Sequence, residues 1–391
     1  MRLTYLANIR LPTEKAHGLQ IVQNCEAFAQ QGATVTLYAA QRVNTPELRK
    51  ADPFAYYGVS RNFTIRRLPC LDLHPLSAGR FEFLAFTLQT LTYTFFMLLW
   101  MLFARADVYY SRDPLTLLVL SVIKPRRKLV YEAHQVYKTG RSRWLQRAVC
   151  RRVKLVVAIT GILGERMREY GAHEVLIAHD GYRAERFANL PTKRAARQRL
   201  RLPPEAFVVG YAGRLHTMGM SKGIDALIEA IAQLQNTQSK PIVFCLVGGP
   251  EDAAQAYRQL WQDCELPADQ LITTGTVPAD QIPIYLAAFD VAVMPLPHTE
   301  HFAYYTSAIK LFEYMAAGCA ILATDLPAVA EVVTHDETAL LADAGDAAAL
   351  AEQLARLQAD RALRERLAAH AQALAVQYTW AARAQHILEK T

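Results

Sequence analysis

Two α/β domains, each a parallel sheet with helices on both faces, are what this sequence predicts. Three observations carry that expectation. The chain has 391 residues, more than one ordinary hydrophobic core organises. Short apolar runs of strand length alternate with helical runs, the pattern of a parallel sheet. The alternation also begins twice, at Leu3 and again at Phe207, on either side of a polar, Arg/Pro-rich bridge from Arg183 to Pro204. The expected domains are residues 1–185 and 186–375, with a last helix over 376–391.

The opening forty residues read as a βαβ unit. Leu3–Leu6 is a strand, a polar loop runs to Gly18, and Leu19–Gln31 is amphipathic. Gly32 then stops the helix before the strand Thr34–Tyr38. Further strands are expected at Val108–Tyr110, Leu129–Tyr131, Leu155–Ile159 and Val175–Ala178. The second series comprises Phe207–Tyr211, Ile242–Val247, Leu271–Thr274, Val291–Met294, Ala320–Ala323 and Ala339–Leu341. Thr379 caps a final amphipathic helix.

Composition is that of a globular protein, 52% apolar and 20% charged. Six cysteines are scattered without CxxC pairs, which points away from zinc knuckles and disulfide frameworks and towards reduced thiols. Met1–Lys15 is charged and strand-like, unlike a signal peptide. Charge is uneven: residues 1–185 hold 26 Lys+Arg against 14 Asp+Glu, and the remainder is net acidic. The surplus is densest from Lys124 to Lys154, including Arg126, Arg127, Lys128, Arg141, Arg143, Arg147, Arg151 and Arg152. An anionic membrane surface, a plain solvated face and nucleic acid all fit such a patch. The sequence lacks a nucleic-acid module signature, so the membrane is the expected partner and nucleic acid is not.

The uncharged run Phe83–Ala104 would make a helix of roughly 33 Å, enough to cross a hydrocarbon core of ~30 Å. Crossing would place strands of one sheet on opposite sides of a bilayer, which argues against a span. A helix lying against the membrane and a core helix remain open.

The segment Tyr305–Thr324 carries the strongest functional signal. Lys310 and Glu313 are three apart and share a helix face near the helix start, where backbone N–H groups favour an anion. A cation and a carboxylate there suit a nucleotide sugar, one beside phosphate and the other on ribose hydroxyls. This segment resembles the donor site of family 4 glycosyltransferases, retaining enzymes of GT-B fold whose two Rossmann-like domains face one another across a cleft. The family's usual pattern has two glutamates eight apart; Glu313 matches the second, and Tyr305 stands at the first. The branch reading Ser-Pro-x-Lys-x-x-Glu-Tyr-Met-Ala is the better likeness, with Ser307 and Lys310 matching and Ala308 in place of Pro. The resemblance also implies that the last helix packs back onto the N-terminal domain.

Tyr211–Gly223 follows a strand and precedes the helix starting at Ile224. Gly213 allows close backbone approach to phosphate, and Arg214 and Lys222 supply charge for a diphosphate. The family's Gly-Arg…Lys-Gly motif matches, with an unusually long gap between the cations. The sequence contains no Asp-x-Asp pair, so cations of the protein are expected to stabilise the leaving group, without an essential metal or cofactor. Gly248, Gly249 and Val277 resemble turns near the nucleotide. His298, Glu300 and His301 lie in a loop expected to frame the sugar, at a spacing that fits no metal-ligand pattern.

His134 ends the strand Lys128–Ala133, at the carboxyl edge where open α/β sheets bind ligands. The resemblance places it beside the donor sugar. Glu132 shares its strand face and either orients it or forms a structural salt bridge. Lys15, His17 and Gly18 follow the first strand and correspond to the loop under the acceptor. The functional expectation is a retaining glycosyltransferase, cytoplasmic and peripheral on the inner membrane face. It would move sugar from a nucleotide diphosphate donor to a lipid-linked or polysaccharide acceptor by front-face substitution. A nucleotide-sugar epimerase of the same fold and a non-catalytic binder are the alternatives. Base, sugar, linkage and oligomeric state are not written in the residues.

Overall fold

A computed structural model describes residues 1–73, 80–217, 219–235 and 241–391, so Met218 of the Tyr211–Gly223 motif lies outside the described residues. The chain forms two compact units, Met1–Asp180 with Trp380–Thr391, and Gly181–Thr379.

The first unit is built on a seven-stranded parallel sheet of order β3-β2-β1-β4-β5-β6-β7. Its strands are β1 (Arg2–Ala7), β2 (Thr34–Ala40), β3 (Thr64–Leu68), β4 (Val108–Ser111), β5 (Leu129–Ala133), β6 (Leu155–Ala158) and β7 (Val175–Ile177). The central strands β4, β5 and β6 are buried throughout, because helices cover both faces. β3 was not expected from the sequence. Its Thr-Ile-Arg-Arg-Leu carries two charges, which a sheet tolerates only where the strand is an edge. The winding reverses between β1 and β4, so the loops after them form a switch point.

The second unit has a six-stranded parallel sheet, β12-β11-β8-β13-β14-β15, plus a small hairpin. Its strands are β8 (Phe207–Ala212), β9 (His216–Thr217), β10 (Met220–Ser221), β11 (Ile242–Val247), β12 (Leu271–Thr273), β13 (Val291–Met294), β14 (Ala320–Thr324) and β15 (Leu340–Ala342). Alternate residues feed two cores: Val209, Tyr211 and Leu246 join Trp261 on one face, while Val208, Val243 and Met294 join Phe312 on the other. Here the order reverses between β8 and β13. Each main sheet, parallel throughout and covered by helices, makes its unit a Rossmann-like domain.

The segment Arg183–Pro204, read as a polar bridge, folds instead. Thr192 caps the helix Lys193–Leu200. Arg197, 5% exposed, donates to the carbonyls of Ala288, Pro204 and Ala206 at 3.0, 2.8 and 3.1 Å and to Asp290 at 2.5 Å. An arginine used as an internal anchor looks like solvated charge in a sequence.

The apolar run is a helix, Arg80–Phe103, and the core-helix alternative fails for it. Among its described side chains it buries only Ala85, Gln89, Tyr93, Met97 and Met101, one seam at four-residue spacing, while Phe83, Leu84, Leu91, Phe95 and Phe103 stand exposed. Only 22% of its most apolar window is buried. β3 before it and β4 after it lie in one sheet. The basic segment is less free than its composition suggests. Lys124, Arg126, Lys128 and Lys154 each donate to a backbone carbonyl, at 3.0, 3.0, 2.6 and 2.9 Å.

The final helix, Trp380–Lys390, buries Trp380, Arg383, Ala384 and Ile387, the spacing of one helical stripe, and packs in the first unit against the helix Ala16–Gln30.

Candidate functional site

In the second unit, the loops after β8, β11 and β12 gather at the carboxyl edge of the sheet. A cavity of about 620 Å³ opens there, lined among others by Gly213, Arg214, Gly248, Gly249 and Val277. Gly213 N–H donates to Val247 O at 2.8 Å, and Leu215 N–H to Gly249 O at 3.0 Å, so the two Gly-rich turns are laced together. Gly248 has φ +142, and a Cβ there would lie 1.9 Å from the Gly213 carbonyl oxygen. Only glycine permits this approach of backbone to backbone.

The long gap between Arg214 and Lys222 is taken up by the β9–β10 hairpin, with Ser221 opposite His216. Gly223, at φ +73, then brings the chain against Pro295, where a Cβ would lie 1.7 Å from the carbonyl oxygen. Lys222 thereby becomes buried, 7% exposed, with its ammonium 4.1 Å from the centre of the Phe302 ring. Burial pushes it down to about 8.

The helix Ile309–Ala316 starts beside these loops; Ala308 provides no side-chain cap, and the first turn has no acid. Ser307 immediately precedes that position. Lys310 Nζ donates to Tyr211 Oη at 2.6 Å and sits 4.2 Å from that ring's centre. Tyr211 Oη donates onward to the Arg214 carbonyl at 2.7 Å. Burial, then the Lys222 charge, push Lys310 down to about 7, with Glu313 acting against them. Glu313 is pushed up to about 7 by burial, opposed by Arg186 and Lys310. Glycines, two desolvated lysines and a carboxyl thus converge, an arrangement that a polyanion bearing hydroxyls relieves. Tyr211, Phe302 and Arg186 were missed in the sequence, because neither an aromatic nor a lone arginine carries a local sign of the charged group it meets.

In the first unit, His134 follows β5, and its Nε2 lies 2.5 Å from Glu132 Oε1. Burial, then Arg112, push His134 down, with Glu132 and Asp180 opposing. Burial opposes ionisation of Glu132, but Arg383 and His134 outweigh it and hold the carboxyl well below its usual range. Glu132 pairs both with His134 and with Arg383, the latter at 3.1 Å. Glu132, His134 and Asp180 offer ligand atoms within 4.8 Å of one another. This set does not fit a cation, because the Arg383 guanidinium already occupies the carboxylate oxygen that faces His134.

Lys15 and His17 line a cavity of about 720 Å³ with Arg10, Arg42 and Arg49. His17 also lines a second cavity, of about 460 Å³, with Arg112, Tyr137 and Phe86. Burial, then Arg112, push His17 down to about 4. The helix starts at Ala16, so His17 and Gly18 belong to its first turn rather than to the preceding loop. The space beside Gly18 is filled from within the chain: a Cβ there would meet Thr13 and the Tyr57 hydroxyl at 2.4 Å. Among the loop residues after β13, Glu300 and His301 open the short helix Glu300–Tyr304, capped by Thr299.

Residues 206–360 match the family model "Glycosyl transferases group 1". The match falls on the unit that holds Arg214, Lys222, Lys310 and Glu313. Over 224 residues the chain is 29% identical to a D-inositol 3-phosphate glycosyltransferase of Streptomyces bingchenggensis, covering 55% of this chain and 47% of that protein. It is 32% identical over 221 residues to the lipopolysaccharide core biosynthesis glycosyltransferase LpsD of Rhizobium meliloti, covering 56% and 57%. The aligned region spans about half the length of the curated relatives it matches. Among solved structures, Anabaena Alr3699/HepE in complex with UDP matches with a TM-score of 0.73 and 20% identity, over 100% of this chain and 99% of that one. This likeness is one of fold.

Proposed function

We propose that the protein is a retaining glycosyltransferase that takes a sugar from a nucleoside diphosphate sugar. The observation that carries this reading is the Lys310 ammonium packed against Gly213, a residue of the glycine-lined cavity, where a Cβ would lie 2.6 Å from Nζ, with the charges of Lys222 and Glu313 acting on the same ammonium. The similarity to group 1 glycosyl transferases over 206–360 supports it, as does the UDP bound by a protein of the same fold.

In the reaction, the acceptor hydroxyl oxygen bonds to the anomeric carbon on the face from which the diphosphate departs. The anomeric carbon–oxygen bond breaks, and the hydroxyl proton passes to the leaving diphosphate oxygen. Arg214, Lys222 and Lys310 stabilise the charge growing on that diphosphate, work that is electrostatic and positional. Gly213, Gly248 and Gly249 admit the phosphates, Val277 borders the base, Ser307 adds a hydroxyl, and Glu313 accepts from ribose. No essential metal is required in this scheme. His134 is assigned to the sugar, and Lys15 and His17 to the acceptor.

The acceptor is a lipid-linked glycan or a polysaccharide, and the protein works on the cytoplasmic face of a membrane. The support is the exposed apolar side of the Arg80–Phe103 helix together with the exposed arginines 141, 143 and 147.

Calorimetric titration in EDTA against UDP-, GDP- and dTDP-sugars and their diphosphates tests the donor site. One nucleotide class should bind, and Glu313→Ala or Lys310→Met should abolish that binding. Binding that requires a divalent ion, or that survives both substitutions, would sink the assignment.

A further inference from the structure

Glu132 is held from three directions. Arg383, on the final helix, donates through Nη2 to Glu132 Oε1 at 3.1 Å, through Nη1 to Asn24 Oδ1 at 2.8 Å and through Nε to His179 O at 2.9 Å. Asn24 Nδ2 donates to Glu132 Oε2 at 3.0 Å. The His134 ring closes on Oε1 at 2.5 Å, and no other hydrogen bond to that ring is present among the described residues. Arg383, Glu132 and Asn24 are 4%, 2% and 2% exposed, so water takes no large part in this balance.

We propose that Arg383 is a positioning residue for His134, setting through Glu132 which nitrogen of the imidazole carries the proton. An ionised carboxylate only accepts hydrogen bonds, so the ring nitrogen facing it must donate. Arg383 is what allows Glu132 to stay ionised in a dry site, because a buried carboxylate without its cation is too costly to keep. Asn24 locks the pair, accepting a hydrogen bond from Arg383 at its amide oxygen and donating one to Glu132 from its amide nitrogen. The neutral ring then carries its proton on Nε2, and Nδ1 is left as an acceptor. Without Arg383, Glu132 either takes a proton itself or draws one onto the ring, and both outcomes change Nδ1. The other charged groups around the ring are Arg112, Asp180 and His17, and none of them replaces a guanidinium on Oε1. A purely structural ion pair would not need the same oxygen to carry the histidine at the ligand edge of the sheet.

This inference rests on the role assigned to His134, and two readouts separate the two claims. In the full chain with 15N-labelled histidine, the imidazole shifts of His134 should report a neutral ring protonated on Nε2. Arg383→Met should abolish that pattern and Arg383→Lys should largely keep it. Glu132→Gln preserves the side-chain volume and should also release the tautomer, which covers the case in which Arg383→Met does not fold. An unchanged His134 ring in a folded Arg383→Met or Glu132→Gln protein overturns the inference. In donor turnover, Arg383→Met should lower kcat while leaving KM for the donor within about twofold. The double variant with His134→Ala should lose no more than His134→Ala alone, whereas additive losses overturn the inference. If His134→Ala turns over at the normal rate, the assigned role of His134 fails and this inference with it.

Discussion

Gly248→Ala should unlock the two turns that frame the cavity of the second unit. Its φ of +142 lies where residues with a side chain are strained, at a cost of about 1–3 kcal/mol. The new methyl would stand 1.9 Å from the Gly213 carbonyl oxygen and 2.9 Å from its carbon. Backbone on both sides leaves no flexible end to swing away, and overpacking of this kind costs about 1–3 kcal/mol more. A total near 4 kcal/mol follows on these principles, roughly a thousandfold in an opening equilibrium. Gly32→Ala is the control, since its φ is +84 and a Cβ there meets nothing within 4 Å, leaving the backbone term of about 1–2 kcal/mol. Hydrogen exchange of the β8 and β11 amides should accelerate strongly in Gly248→Ala. Affinity for nucleoside diphosphate should fall as Gly213 is displaced. The reasoning is refuted if β8 and β11 exchange as in the unsubstituted protein and the affinity is unchanged.

Three further outcomes are expected. Burial holds Lys310 near 7 and Lys222 near 8, so diphosphate should bind with proton uptake at pH 8 and weaken towards pH 9. The folded state binds fewer protons than the unfolded one between those values and the ordinary 10.5, so this part of the stability rises with pH while ligand affinity falls. Calorimetry in two buffers of different ionisation heat reads the uptake, and zero uptake contradicts it. Arg197→Met leaves the part-buried Asp290 with Lys193 alone as cation, and should destabilise the second unit by about 3–5 kcal/mol in chemical denaturation. A change under about 1 kcal/mol would mean that the anchor is dispensable. Phe83 and Phe103 are 74% and 82% exposed, so replacing both by serine should cut partitioning onto anionic vesicles by tenfold or more, at about 1.5–3 kcal/mol per buried phenylalanine. Undiminished sedimentation with vesicles would remove the helix from any membrane role.

Alternation of apolar runs was enough to find the two parallel sheets, because buried strands such as Val291–Met294 have no polar residue to disguise them. β3 escaped because an edge strand can carry Arg66 and Arg67, and the helix Lys193–Leu200 escaped because its buried arginine reads as solvent-facing charge. The site followed the same division. Lys310 and Glu313 share a helix face fixed by three-residue spacing, so their proximity was legible. Tyr211, 99 positions from Lys310, meets it only through the register of β8 against the neighbouring helix. Arg383 was further beyond reach, since nothing local in the final helix says which carboxylate, 251 positions away, it neutralises.

The second unit is an insertion in the first, entered after Asp180 and left after Thr379. That topology reverses the usual order of maturation, in which the N-terminal portion of a chain folds first as it is synthesised. Residues 181–379 are contiguous and can collapse as soon as they are made. The first unit must wait for residues 380–391, and until then Glu132 has no guanidinium to close upon. A chain interrupted in that final stretch would present a finished second unit beside a first unit with an unneutralised acid at its centre. Synthesis of residues 380–391 is thereby coupled to assembly of the first sheet's ligand edge, where His134 stands.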